Sequence, residues 1–208
     1  MKKNFARGIA AAALMGVALG FSGVAHAEVV GDPDGMAGWT VAQSYNDCAL
    51  MAAADVIGQI TGDAPAEDDI VTYAQNTPSV SRPGDMIFDM AAYDDDPNGG
   101  TIFEDLPIVL AHYGVSGKYV DGASMGALEG VLRDGGAVIV NLNAETIWDA
   151  DGDRTASDHA VVVTGVDTDN GVVHLNDSGP EDGADEQVSI DTFTAAWQTS
   201  GNEMVVTT

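Results

Sequence analysis

Apolar residues recur at helical spacing in the earlier part of the chain and gather into short unbroken blocks towards its end. Leu50, Met51, Ala53, Ala54 and Ile57 share one side of a helical repeat, which predicts a helix from about Cys48 to Ile60. Asn46 or Asp47 is placed to cap its start, and Gly62 to stop it. Glu67 to Gln75 reads as a second, short helix, and Glu104 to His112 as a third, with Pro107 near its start and Gly114 at its end. The clearest helix runs from Ser124 to Arg133, with Ser124 as cap and Met125, Leu128, Val131 and Leu132 along one side. The rhythm then changes. Ala137 to Leu142 and His159 to Gly165 read as buried strands. Asp169-Asn170-Gly171 supplies a turn, and Val172 to Asp177 returns as the hairpin partner. A short helix over Asp191–Gln198, packing Phe193, Ala196 and Trp197, and a closing strand over Glu203–Thr208 complete the pattern.

Helices come first and a mainly antiparallel sheet second, the order of an α+β fold. Residues 28–40 are rich in Gly and Asp and read as irregular. Residues 76–102, with Pro78, Pro83 and Pro97, read as a long surface excursion. Nothing between residues 28 and 208 has the composition of a linker, so this span is expected to form one domain.

Residues 1–27 have the layout of an export signal. Lys2, Lys3 and Arg7 lead an apolar run from Ile9 to Phe21, and Ala25-His26-Ala27 gives the small-x-small cleavage pattern. A secreted protein is therefore expected. No later stretch is long and apolar enough for stable membrane insertion. The chain has 7 lysines and arginines against 33 aspartates and glutamates, a formal net charge of -26. Such a chain has no basic patch to meet phosphates, which argues against nucleic acid and anionic membranes as partners. It favours solubility in salt or a cationic partner.

Cys48 is the one cysteine in 208 residues, so no internal disulfide is available to it. It is either a small buried hydrophobe or a thiol kept for its chemistry. At the first turn of a helix it faces unpaired backbone amides, whose partial positive charge favours a thiolate. A histidine beside it would complete an activated pair. Beyond residue 27 the chain offers His112, His159 and His174; His159 stands at a strand entrance just after a polar loop, the best placed of the three. Asp177 ends the strand that pairs with His159's strand. His159 lies eleven residues before Asn170 and Asp177 seven after, a mismatch that turn and bulge can absorb. Asn176 points to the opposite face of a regular strand, so Asp177 is the favoured orienting group for the ring. Gln43, five residues before Cys48, carries a side-chain amide suited to a developing oxyanion, together with the Cys48 backbone amide.

These residues resemble the papain-like cysteine peptidases of the C39-like group. The resemblance rests on Gln43 to Gly62, on Asp158 to Gly165, and on Val172 to Gly179 followed by Phe193 and Trp197. It implies Cys48 as nucleophile, His159 as base and acid, Asp177 as orienting group and Gln43 as oxyanion donor. It further implies an N-terminal helical half packed on a C-terminal antiparallel sheet, a peptide or protein substrate, and no required cofactor. Ala49 stands where many members of the group carry Gly, and Ser178 where many carry Pro. Amidase and acyl-transferase chemistry are compatible with the same residues, as is a non-catalytic binding protein on the same fold.

Asp149, Asp151, Asp153 and Asp158 lie in a Gly-containing loop leading into His159. Alternating carboxylates of this kind suit Ca²⁺, although Gly152 comes early and no glutamate closes the pattern. Asp94-Asp95-Asp96 and the run Glu181 to Glu186 read as solvated charge.

Overall fold

The computed structural model describes residues 29–90 and 100–208. The export-signal pattern of residues 1–27 and the triplet Asp94–Asp96 lie outside them. The described chain begins with strand β1 (Val29–Gly31), helix α1 (Pro33–Met36) and a 3₁₀ turn (Ala37–Trp39). Helices α2 (Cys48–Thr61) and α3 (Glu67–Gln75) follow, then the strand pair β2 (Phe88–Asp89) and β3 (Gly100–Thr101). A 3₁₀ turn at Phe103–Asp105 leads into α4 (Leu106–His112), β4 (Gly117–Val120), α5 (Met125–Arg133) and β5 (Val138–Leu142). The remainder is α6 (Ala144–Ile147), β6 (His159–Asp167), β7 (Val172–Asn176), β8 (Glu186–Ser189), α7 (Ile190–Gln198) and β9 (Met204–Thr207).

The main sheet is antiparallel, in the order β4-β9-β5-β6-β7-β8. β5 covers β6 from His159 to Val163, and β1 continues along it from Gly165 to Asp167. One face carries Ile139, Ala160, Val162 and Val205, which pack under α2, α3 and α4. The other carries Val140, Leu142, Val161, Val163 and Val206, which pack on α5 and α7 through Leu128, Leu132, Phe193 and Trp197. This is an α+β fold with helices on both faces. Every residue of β6 is buried, which is why its sequence runs apolar without alternation. The two-sided cover extends the expected picture of a helical half against a sheet half, because α5 and α7 sit behind the sheet.

Several segments depart from the sequence reading. Residues 28–40 are expected to be irregular, but they hold β1, α1 and a 3₁₀ turn; the carboxylate of Asp32 caps α1 by accepting from the Gly35 amide at 3.1 Å. α2 extends to Thr61 and ends at Gly62, whose φ of 78° lets the amide return to the Gly58 carbonyl. The excursion at 76–102 is pinned at its described parts by the β2–β3 pair and by Asp105, whose buried carboxylate accepts from Ser79, Val80 and Ser81. β4, α6 and β8 appear where no element is predicted. Glu186, expected as solvated charge, opens β8 opposite Leu175.

Candidate active site

Three elements of different origin meet at the N-terminal tip of α2. Cys48 is its first residue. Asp47 occupies the cap position, but only its carbonyl caps the helix, accepting from the Leu50 and Met51 amides at 2.7 and 3.0 Å. Its side chain turns inward and is fully buried; burial, then the charge of Glu67, pushes its carboxyl up to about 7. Glu67 in turn accepts from the Ser44 amide, holding the Gln43–Asp47 segment against α3.

His159 opens β6 with 5% of its surface exposed. Its Nε2 lies 2.7 Å from Asp177 Oδ1, which leaves Nδ1 as the ring nitrogen available to Cys48. Burial favours the neutral ring. The charge of Cys48 and the bonds to Asp177 and Cys48 outweigh it and raise His159 to about 10. The ring therefore holds its proton more tightly than an ordinary histidine.

Asp177 follows β7. A shift in register between Val163 and Gly165 adjusts the hairpin, and the chain then curls after Asn176. The curl is fixed by the Asp177 amide on the Gly183 carbonyl at 2.8 Å. Gly183 is needed there, because a Cβ would lie 2.0 Å from the Asp177 carbonyl oxygen. Besides His159, Asp177 Oδ1 accepts from the Gly179 amide at 2.7 Å, and Oδ2 accepts from Trp148 Nε1 at 2.9 Å. Burial opposes ionisation, but these donors and the imidazolium hold the carboxyl below the usual carboxylate range. Glu186 lies beside it, raised to about 7 by burial and by the charge of Asp177.

The structure places Gln43 next to this curl. Its amide nitrogen donates to the Ser178 carbonyl at 2.8 Å, and its Oε1 accepts from the Ser178 hydroxyl at 2.9 Å. One N–H of its side chain goes to the Tyr45 carbonyl at 2.8 Å. A groove of about 630 Å³ opens beside the thiol; Cys48, His159, Glu104, Asp158 and Glu203 are among its described walls, and Gln43 is not. His112 stacks on Tyr73 at 3.8 Å, and His174 pairs through Nδ1 with Asp185 at 2.6 Å, so neither competes for Cys48.

Two contributors escape the sequence reading. Trp148, just past α6, donates to Asp177 and lies 5.0 Å from the His159 ring, centre to centre. Asn143 is fully buried; its Oδ1 accepts from the Thr146 amide at 2.9 Å, and its Nδ2 donates to the Asp153 and Ala156 carbonyls at 2.9 and 2.8 Å. It thereby shapes the loop that delivers His159. The one available signal for it is the cap pattern before Ala144-Glu145-Thr146.

The loop of the calcium expectation is tied by hydrogen bonds of its own. Asp149 pairs with Arg154 at 3.1 Å, Asp153 accepts from the Thr155 amide and hydroxyl, and Asp158 accepts from the Ala144 amide at 2.9 Å. With Asp151, these carboxylates do not converge, and among the described residues no group of three or more acidic, histidine or cysteine side chains gathers to hold an ion.

Residues 36–205 match the family model described as the Peptidase_C39 like family. Uncharacterized proteins of Mycobacterium tuberculosis and Mycobacterium bovis are 48% identical over 212 aligned positions, covering 92% of this chain and 91% of each relative. A crystal structure from Bacillus anthracis, described as a C39-like peptidase, superposes with a TM-score of 0.63 at 16% identity, covering 87% of this chain and 98% of that one. This last likeness is one of fold.

Proposed function

Because the chain belongs to the Peptidase_C39 like family, we propose that it is an exported cysteine peptidase that cleaves amide bonds in peptides or proteins at Cys48. The observation that carries this reading is one buried imidazole, that of His159, shared between Cys48 at a helix tip and Asp177 at 2.7 Å. The layout of residues 1–27 supports export, and no helix among the described residues is long and apolar enough to cross a membrane.

In this mechanism the Cys48 thiolate attacks the scissile carbonyl. The oxyanion is met by the Cys48 backbone amide at the helix tip, while Gln43, expected as a second donor, is engaged by Tyr45 and Ser178 away from the groove's walls. His159, already protonated, gives the Nδ1 proton to the leaving amine as the tetrahedral intermediate collapses to a thioester. The neutral ring then takes a proton from water, hydroxide adds to the thioester, and the acid leaves as the thiolate returns. Asp177 holds Nε2–H throughout, so the ring presents Nδ1 to the sulfur in both steps.

Iodoacetamide alkylation tests the reading. Cys48 is expected to react fast at pH 6, and His159→Ala to move the alkylation midpoint towards the ordinary thiol value of about 8.5. A wild-type midpoint near about 8.5 that ignores His159 overturns the proposal. A second pH signature follows from the raised imidazolium. Hydrolysis should fall as pH rises through about 10, where His159 loses its proton, while alkylation persists because it needs no acid.

The groove also supports a preference for basic substrates. Glu203 accepts from the Tyr119 hydroxyl and Asn141 Nδ2, both at 2.8 Å, and Glu104, Asp153 and Asp158 share the groove's walls with Arg82. Peptides with Lys or Arg near the scissile bond should exceed their Glu counterparts roughly tenfold in kcat/KM, an advantage that shrinks towards 1 M salt as the screening length falls to about 3 Å. Glu203→Gln should narrow the gap. Equal turnover of basic and acidic peptides at low salt would exclude the preference.

A further inference from the structure

Cys48 and Asp55 lie seven residues apart on α2, which places them within about 20° of each other around the axis and roughly 10 Å apart along it. Cys48 reaches down to β6 through His159. Asp55 reaches down to β7 through Asn176, whose Nδ2 donates to Asp55 Oδ2 at 2.8 Å. Asn176 is the residue before Asp177, so the second bridge ends one peptide unit from the carboxylate that orients the ring. Both partners are buried, Asp55 at 4% and Asn176 at 2% exposure. Asp55 also accepts from the Thr40 hydroxyl at 2.8 Å and Gln59 Nε2 at 2.6 Å, and Asn176 Nδ2 also meets the Met36 carbonyl at 2.9 Å. Apolar contacts between α2 and the sheet are non-directional and tolerate sliding. A buried acceptor with fixed donors does not, because moving it leaves polar groups unpaired.

We propose that Asp55 and Asn176 are positioning residues, a buried polar bridge that sets the height and rotation of α2 over β6 and β7 so that Cys48 meets His159. The proposal rests on the Cys48–His159 pair of the preceding reading. Its test is the pH dependence of iodoacetamide alkylation, measured on folded protein below the melting temperature. Asp55→Asn puts an amide where three donors converge. It should raise the alkylation midpoint by about one pH unit or more and slow alkylation at pH 6 at least tenfold, as the thiol drifts towards its ordinary value of about 8.5. Asn176→Ala, which deletes the bridging donor, should do the same and serves if Asp55→Asn does not fold. Exchanging the two residues, Asp55→Asn with Asn176→Asp, should recover part of the shift.

Asp105→Asn is the control for a merely structural role. Asp105 is also buried, at 2% exposure, and fed by four donors against the three of Asp55, but it anchors the excursion rather than α2. It should lower the melting temperature and leave the midpoint in place. A folded Asp55→Asn or Asn176→Ala protein with the wild-type midpoint overturns the bridge while leaving the peptidase reading intact, as does an equal shift in Asp105→Asn. A wild-type thiol that titrates near about 8.5 without His159 dependence removes the pair itself and this inference with it.

Discussion

Cys48→Ala should abolish amide hydrolysis, with kcat falling by at least about 10⁴-fold, in the range seen when the nucleophile of a hydrolase acting as a unit with its base is deleted. Its side chain supplies the only thiol of the chain, so no neighbouring sulfur can substitute. The fold should survive. Cys48 is partly exposed at the helix tip and packs only at the margin of the core, so the loss of one sulfur costs little stability. Circular dichroism and melting temperature close to wild type, with hydrolysis absent, are the expected results. Residual hydrolysis within tenfold of wild type would move the chemistry away from Cys48.

Asp177→Asn should come next in size, a fall of roughly 10³- to 10⁴-fold in kcat with KM little changed. With its oxygen kept on Trp148 Nε1, the asparagine places its NH₂ where Oδ1 stood, facing His159 Nε2 and the Gly179 amide. The ring must present a lone pair there and carry its proton on Nδ1, where it can no longer receive one from the thiol. Stability should respond in a pH-dependent way. Asp177 is held below its ordinary 3.8, so its contribution is present above that value and lost as pH falls through the lower folded value. His159 is raised from 6.5 to about 10, so its contribution is full below 6.5 and lost as pH rises through about 10. The melting-temperature gap between wild type and Asp177→Asn should therefore be widest between about pH 4 and 6.5, closing on both sides. A gap that is flat with pH would mean that Asp177 is structural rather than an ionised partner of the imidazolium.

The parts legible in the sequence are those where one periodicity controls a whole element. α5 shows its cap and its apolar side, and β5 to β7 show unbroken apolar runs because the sheet is covered on both faces. The meeting of Cys48, His159 and Asp177 follows from topology that a hairpin turn announces: a helix tip over the start of one strand and the end of its partner. β4, α6 and β8 are short and half-exposed, so their pattern is too brief to separate from loop. Trp148 and Asn143 act through single contacts across sequence, which no local spacing encodes. The carboxylates of residues 149–158 show the same limit of spacing. Spacing shows the carboxylates but not the Arg154, Thr155 and Ala144 donors already committed to them.

Trp148 gives the site an optical handle. Its indole stands 5.0 Å from the His159 ring, centre to centre, and is 42% exposed, while Trp197 is sealed in the core at 1%. A protonated imidazole quenches a neighbouring indole by accepting an excited electron, whereas a neutral one quenches weakly. The emission of this protein thus carries a signal that brightens when His159 gives up its proton. The proton on the ring at the centre of the site can thus be followed as light, without a chromogenic substrate.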